Sequence, residues 1–304
     1  MQSAIRNVED RLSDLGLSFP KKCTSPISRE YRPEIDISPE LDVKESAYYQ
    51  SLIGILRWIV ELGRVDIATE VSMMASCMAL PRKGQLEQLY HIFGYLKLKH
   101  NGEMVFDPSE PDFDEESFIR EDWSHSVYGS KSEELPPNAP EPKGFGFKIR
   151  AYVDSDHAGH AVTKRSRSGY LIYLNNAPIY WTSKKQSSIQ TSTFGSEFVA
   201  MKECCEYVRS LRYKLRMMGI PCDYPAYILG DNKSVLVNSS IPTSVLKKKS
   251  CSIAYHFVRE GTSMDEWRIG YISTNDNVAD LLTKPIPNGE KRSRFINMIL
   301  HHIE

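Results

Sequence analysis

FGFKIRAYVDS, residues 145–155, sets apolar side chains at alternate positions and breaks off at Asp154-Ser155-Asp156. Successive side chains of a strand leave opposite faces, so this period predicts a strand with one packed face, ending at Asp154. Three readings of Asp154 are open: half of a paired-aspartate hairpin, a strand-end turn acid, or the first carboxylate of a metal site. Ser155 separates Asp154 from Asp156 and no paired-aspartate partner occurs elsewhere, which removes the first reading.

The residues that follow keep the same period. SGYLIYL (168–174) and APIYWTSK (177–184) read as two strands of a hairpin turning at Asn175-Asn176. FGSEFVAMKECCEYVRSLRYKLRMMG (194–219) then shifts to the helical period and is closed by Gly219 and Pro221. PAYILGD (225–231) is a short buried strand, with a brief helix from Asn232. LKKKSCSIAYHFVREG (246–261) is helical, EWRIGYIS (266–273) a strand, and NVADLLTK (277–284) opens a final short helix. Three strands followed by strands alternating with helices predict an α/β unit with a mixed sheet, because crossover helices force the later strands parallel.

Upstream, residues 1–40 are polar and punctuated by Pro20, Pro26, Pro33 and Pro39, and read as an extended, weakly ordered lead-in. Residues 41–106 carry three helical periods, in YYQSLIGILRWIVELG, RVDIATEVSMMASCMAL and QLEQLYHIFGYLKLKH. Residues 107–145 form an acidic linker that ends in ELPPNAPEPKG. The α/β unit is expected over 146–290 and a helical tail over 291–304.

Across 304 residues the hydrophobic content is 41%, the charged content 25% and the formal net charge −1, so the whole-chain balance decides nothing about a polyanionic partner. The distribution says more. Without the acids between Asp107 and Glu141 the remainder is basic, with clusters at Lys184-Lys185, Arg209 to Arg216 and Lys247-Lys248-Lys249. A basic body fits nucleic-acid contact, and ordinary solvated faces are the bland alternative. The six cysteines contain no CxxC pair, which argues against a zinc site or a disulfide framework. No apolar stretch reaches the length of a membrane span, and a soluble, intracellular chain is expected.

Four acids recur at element ends. Asp154 ends the first strand, and Asp231 ends PAYILGD or caps the helix after it. Asp280 opens the last helix. Glu197 is placed in the first turn of the long helix, behind a cap at Ser196 or Thr193, on the side of Ala200, Met201, Cys204, Val208, Leu211 and Leu215. Each has an ordinary explanation as a turn acid or a helix-start acid. Together on one rim they would repel one another unless a divalent cation lay between them, and an all-oxygen donor set selects Mg²⁺ or Mn²⁺ over zinc.

YVDSDHAG, SGYLIYL, IYWTSKKQ, GSEFVAM, GDNKSV, AYHFVRE and NVADLLTKP, in this order, resemble the ribonuclease H domain of copia-type retrotransposon Pol polyproteins. The three helical stretches upstream resemble the segment that joins reverse transcriptase to that domain. Together they cover residues 40–290. The resemblance implies an α/β, ribonuclease H-like mixed five-stranded sheet flanked by helices, preceded by a small helical unit. It implies two-metal hydrolysis of the RNA strand of an RNA–DNA hybrid, with Asp154, Glu197, Asp231 and Asp280 holding two Mg²⁺ (or Mn²⁺) ions. Asp154 would bridge both, Glu197 and Asp231 completing one and Asp280 the other, with the four carboxylates about 4–8 Å apart.

Ser155, Ser196 and Asn232 are the candidates for sensing the 2′-hydroxyl, and Lys184, Lys185, Lys247, Lys248 and Lys249 for holding phosphates. The implied partners are the hybrid and the rest of a Pol polyprotein, without a membrane, in a cytoplasmic particle or the nucleus. The polymerase fingers and palm are not in this sequence, so polymerisation is not expected. Lys249-Ser250-Cys251 stands where many relatives carry a Lys-His-Ile-type stretch, and His256 is expected to pack rather than catalyse. The histidine-bearing loop of cellular enzymes is replaced by the short Ser273–Asp276 connection. An integrase is disfavoured because the glutamate comes second in order, not last. A catalytically silent nucleic-acid-binding remnant is the alternative.

Overall fold

The computed structural model describes residues 1–28, 30–118, 120–129, 131–246 and 251–302. They fall into two units: Met1–Val105 with Ala158–Lys164 and Leu281–Glu304, and Phe106–His157 with Arg165–Asp280.

The first unit opens on α1 (Gln2–Asp14), whose Ile5, Val8 and Leu12 recur on one face and are buried. The extended lead-in expected for 1–40 is therefore corrected over this stretch. Three apolar positions in a polar run are a thin signal, yet they suffice because the stripe joins a core. α2 (Val43–Glu61) starts on a capping box: the Asp42 carboxylate accepts from the Glu45 amide at 2.8 Å, and the Glu45 carboxylate accepts from the Asp42 amide at 3.4 Å. α3 (Ala68–Ala75) and α4 (Lys83–Leu98) follow, and Tyr49, Leu52, Leu56, Met74, Leu89 and Phe93 fill the space among these helices. β1 (Glu103–Met104) closes this part of the chain.

Residues 107–145 are not a detached linker. Phe118, Trp123 and Tyr128 are buried, and Phe113 and Phe118 stack edge-on against Tyr227 with centroids 4.7 and 4.9 Å away. Glu115 accepts from Lys148 Nζ at 2.7 Å and from the Tyr227 hydroxyl at 2.6 Å. The segment is a strap packed on the second unit. Its acids and prolines suggest a spacer, whereas its four spaced aromatics supply the apolar area that holds it down.

β2 (Ile149–Asp156), β3 (Arg167–Leu174) and β4 (Ala177–Lys185) form an antiparallel meander, with Asn175 at φ 54° in the turn between the last two. A left-handed residue is what a tight hairpin needs, and Asn tolerates it. α5 (Thr193–Met217) crosses to β5 (Ala226–Gly230), parallel to β2; α6 (Lys233–Ser240) and α7 (Ser252–Ser263) lead to β6 (Trp267–Tyr271), parallel to β5. The sheet order β4-β3-β2-β5-β6 makes a five-stranded mixed sheet, flanked by helices. Its core joins Ile149, Ala151 and Val153 to Phe198, Met201, Cys204 and Val208 of α5, and to Val258 and Trp267. A Cβ added to Gly261 would lie 2.0 Å from the Trp267 ring. Gly261→Ala is therefore expected to destabilise by about 1–3 kcal/mol, read as a lower urea midpoint.

NVADLLTK forms a 3-10 turn over Val278–Leu282. α8 (Glu290–Asn297) and β7 (Leu300–His301) then belong to the first unit, β7 pairing antiparallel with β1. The expected tail over 291–304 is thus part helix, part strand. Arg292 on α8 donates to the Asp66 carbonyl at 2.7 Å, while the Asp66 carboxylate accepts from Arg64 at 2.7 and 2.8 Å and from the Tyr95 hydroxyl at 2.8 Å. With Glu70 Oε1 3.5 Å from the Arg292 guanidinium, two acids balance two arginines, and this buried network makes the C-terminal segment part of the first unit's interior.

Candidate metal centre

β2 and β5 are parallel neighbours with Tyr152 beside Leu229. Two residues further along this register, Asp154 and Asp231 come out at the same edge, at the carboxyl ends of adjacent strands, the usual place for a ligand in an α/β sheet. α5 packs on β2 and brings Glu197 to the same edge. One carboxylate oxygen from each of Asp154, Glu197 and Asp231 lies within 4.8 Å of the others. Asp154 and Glu197 are buried and Asp231 is half-buried.

The helical acid is not where dipole arguments would put it. The N-cap of α5 is Ser192, whose hydroxyl accepts from the Gly195 amide at 3.2 Å, so neither Thr193 nor Ser196 is the cap. Glu197 thus falls just past the first turn, where the macrodipole gives it little. Asp231 is not a cap either: Asn232 caps α6, its side-chain oxygen accepting from the Ser234 and Val235 amides at 3.0 and 3.2 Å. Both acids therefore lose their ordinary explanations. Asp280 is fully buried in the Val278–Leu282 turn and lies outside the three-carboxylate group.

Other expected contacts divide. Ser155 Oγ donates to Ser196 Oγ at 3.0 Å, and Ser196 Oγ donates to the Thr193 carbonyl at 2.9 Å. Both serines are buried, Ser196 completely. Their expected role as 2′-hydroxyl sensors is corrected: these hydroxyls are engaged inside the protein. Asn232 is half-buried, and its amide NH₂ is the part not used in capping. Lys184 and Lys185 sit at the end of edge strand β4, Lys184 exposed. Lys247, Lys248 and Lys249 lie outside the described residues. The three arginines of the Arg209–Arg216 cluster are engaged with two glutamates of the protein. Arg209 clasps Glu266 at 2.6–3.1 Å, and Arg212 and Arg216 converge on Glu133 of the strap. His256 Nδ1 meets the Tyr128 hydroxyl at 2.7 Å, a packing contact with the strap.

Three residues around the acids were missed by sequence reasoning. Thr274 Oγ1 donates to Asp231 Oδ2 at 2.7 Å and orients it. Asn277 is fully buried, donates from Nδ2 to the Val153 carbonyl at 2.9 Å, and accepts from the Ala279 amide at 3.2 Å. It fastens the turn carrying Asp280 to the residue before Asp154. Gln186 is buried and donates from Nε2 to the carbonyl of Ser196, the residue before Glu197, at 2.9 Å. A lone amide just past a strand or just before an acidic turn was the available signal.

The donor set suits a hard divalent cation: three carboxylates, with no imidazole or thiolate among them. At an effective dielectric near 20, two such charges under 5 Å apart repel by roughly 3 kcal/mol, so the cluster favours a cation strongly. Topology and donor chemistry together define a mixed α/β module with a three-carboxylate group at one edge of its sheet. No family model matches the chain. It is 25% identical over 281 residues to the Retrovirus-related Pol polyprotein from transposon RE1 of Arabidopsis thaliana, covering 92% of this chain and 17% of that one. It is 39% identical over 158 residues to Secreted RxLR effector protein 161 of Plasmopara viticola, covering 52% of this chain and 87% of that one. A solved structure of LC11-RNase H1 in complex with RNA/DNA hybrid matches 45% of the chain at 14% identity, with a TM-score of 0.36.

Over about nine-tenths of its own length the chain is similar to retrovirus-related Pol polyproteins of two Arabidopsis thaliana transposons, RE1 and RE2. It spans 17% of the length of the RE1 polyprotein. Among the described residues, no helix is long and apolar enough to cross a membrane.

Proposed function

We propose that this chain hydrolyses the RNA strand of RNA–DNA hybrids, using Mg²⁺ or Mn²⁺ held by Asp154, Glu197 and Asp231, with Asp280 as a fourth ligand. The observation that carries this reading is the convergence of the three carboxylates at the carboxyl ends of adjacent parallel strands. When bound, such ions supply a nucleophilic water and neutralise charge on the phosphate. The chain's own residues set the geometry. Asp154 is fixed by the central strand and Glu197 by α5, while Thr274 aims Asp231 and Asn277 anchors the Asp280 turn. In-line attack on phosphorus would break the bond to the ribose 3′-oxygen, leaving a 3′-hydroxyl and a 5′-phosphate. The Asn232 amide NH₂ and the Lys184-Lys185 pair face the hybrid in this reading, the lysines contributing affinity without sequence preference.

The test is a labelled RNA–DNA hybrid offered to the full chain beside single-stranded RNA and duplex DNA, in Mg²⁺ or Mn²⁺ and with the metal chelated. Cleavage of only the hybrid's RNA strand, abolished by chelation, is the expected result. Folded protein that binds hybrid and cuts nothing in either metal would leave the silent remnant as the correct reading. Replacing Lys184 and Lys185 together by Ala is expected to weaken hybrid binding and flatten its log–log salt dependence by about 1.5–2.

A further inference from the structure

We propose that Gln186 is the positioning residue that holds Glu197 at ligand distance from Asp154; this rests on the metal-centre reading above. The Gln186 side chain is almost completely buried, just past the end of β4. Its backbone amide donates to the Ser166 carbonyl at 2.8 Å, which fixes where the side chain starts. Its single Nε2 then donates twice, to Ser168 Oγ on β3 at 3.0 Å and to the Ser196 carbonyl on α5 at 2.9 Å.

The second bond matters most. The carbonyl of Ser196 and the amide of Glu197 belong to one planar peptide unit, so holding that oxygen fixes the plane from which the Glu197 side chain departs. The first bond supplies the reference frame. Ser168 is paired with Ser155 across the β2–β3 ladder, and Ser155 follows Asp154. Ser155 also donates to Ser196 Oγ, closing a ring of buried polar contacts that runs from the Asp154 strand to the Glu197 helix and back.

The carboxamide is a costly way to fill this space. Its Oε1 is buried with no hydrogen-bond partner among the described residues. An apolar side chain of similar volume would avoid that orphaned acceptor. What only the amide offers is two donors at a fixed divergence, reaching strand and helix at once. Packing alone does not call for that.

Binding of Mn²⁺ alone to the full chain, followed by the electron-spin resonance of the free ion, tests this without turnover. Gln186→Met keeps the volume and removes both donors. The expected result is Mn²⁺ affinity about tenfold weaker or more, the range for losing a partner that orients a metal ligand, with an unchanged thermal midpoint. Cleavage should need correspondingly more metal, with kcat recovering at saturation. Ser168→Ala should weaken Mn²⁺ binding in the same direction but less. The double variant should be no worse than Gln186→Met alone, because both act through one amide.

If the wild-type chain binds Mn²⁺ and Gln186→Met binds it equally, the inference is overturned while the metal centre stands. If Gln186→Met does not fold, Ser168→Ala decides, and unchanged affinity there overturns the inference. A wild-type chain that binds no Mn²⁺ removes the metal centre and this inference together.

Discussion

Asp154→Asn is expected to lower hybrid cleavage by at least ~100-fold, since even the outer partners of metal ligands are worth 10–100-fold. The same change is expected to leave the metal-free protein as stable as wild type, or more so. Asp154, Glu197 and Asp231 crowd their oxygens within 4.8 Å. Without a cation, each pair in that space repels by roughly 3 kcal/mol at an effective dielectric near 20, so a neutral amide at Asp154 relieves two pairs at once. Asn keeps the shape and an acceptor oxygen, which separates charge from packing. Two measurements check it: cleavage of labelled hybrid in Mg²⁺ and in Mn²⁺, and thermal melts with the metal chelated and with it added. Wild type should gain stability on adding Mn²⁺, by mass action on the folded state, and Asp154→Asn should gain much less. Equal cleavage by the two proteins would remove Asp154 from the reaction.

The sheet was legible because each strand carried its own period. FGFKIRAYVDS alternates, and β2 occupies Ile149–Asp156; Asn175-Asn176 separates two apolar runs, and the hairpin turns there. The approach of Asp154 and Asp231 was legible as well, because strands parallel to one another must end at the same edge. What stayed hidden depends on contacts between residues far apart in sequence. Ser192, Thr193 and Ser196 are equally good caps by residue type, and only the start of the helix at Thr193 selects Ser192. Ser155 and Ser196 look like exposed hydroxyls beside acids, but the packing of α5 on β2 turns them into each other's partners. The strap was misread because its composition is that of a spacer. Phe113, Phe118, Trp123 and Tyr128 recur every five residues, a spacing that matches neither the helical nor the strand period, and their receptors, Tyr227 and Arg259, lie more than a hundred residues away.

Glu133→Gln is expected to destabilise the second unit by about 3–5 kcal/mol, the cost of leaving a buried charge without its partner. Glu133 is the strap's ionic anchor. Both its oxygens accept from Arg212, at 2.9 and 2.8 Å, and both also accept from Arg216. The Arg212 side chain is only 3% exposed and that of Glu133 14%, so this is no solvent-screened surface pair. Burial alone would raise the Glu133 carboxyl, but the two guanidiniums overcome it and hold the group down to about 2, from an ordinary 4.5. The sign follows. A depressed carboxyl stabilises the fold above its unfolded value, and that stability is lost as pH falls from about 4.5 toward 2. The gap between wild type and Glu133→Gln in urea unfolding should therefore be full at neutral pH and shrink by about 3 kcal/mol across that window. Glu134→Gln, one residue on and exposed, is the control and should cost less than about 0.5 kcal/mol. A strap that merely spaced two domains would make the two variants alike at every pH, whereas one built into the second unit separates them at pH 7 and narrows the gap steadily as pH falls from about 4.5 toward 2.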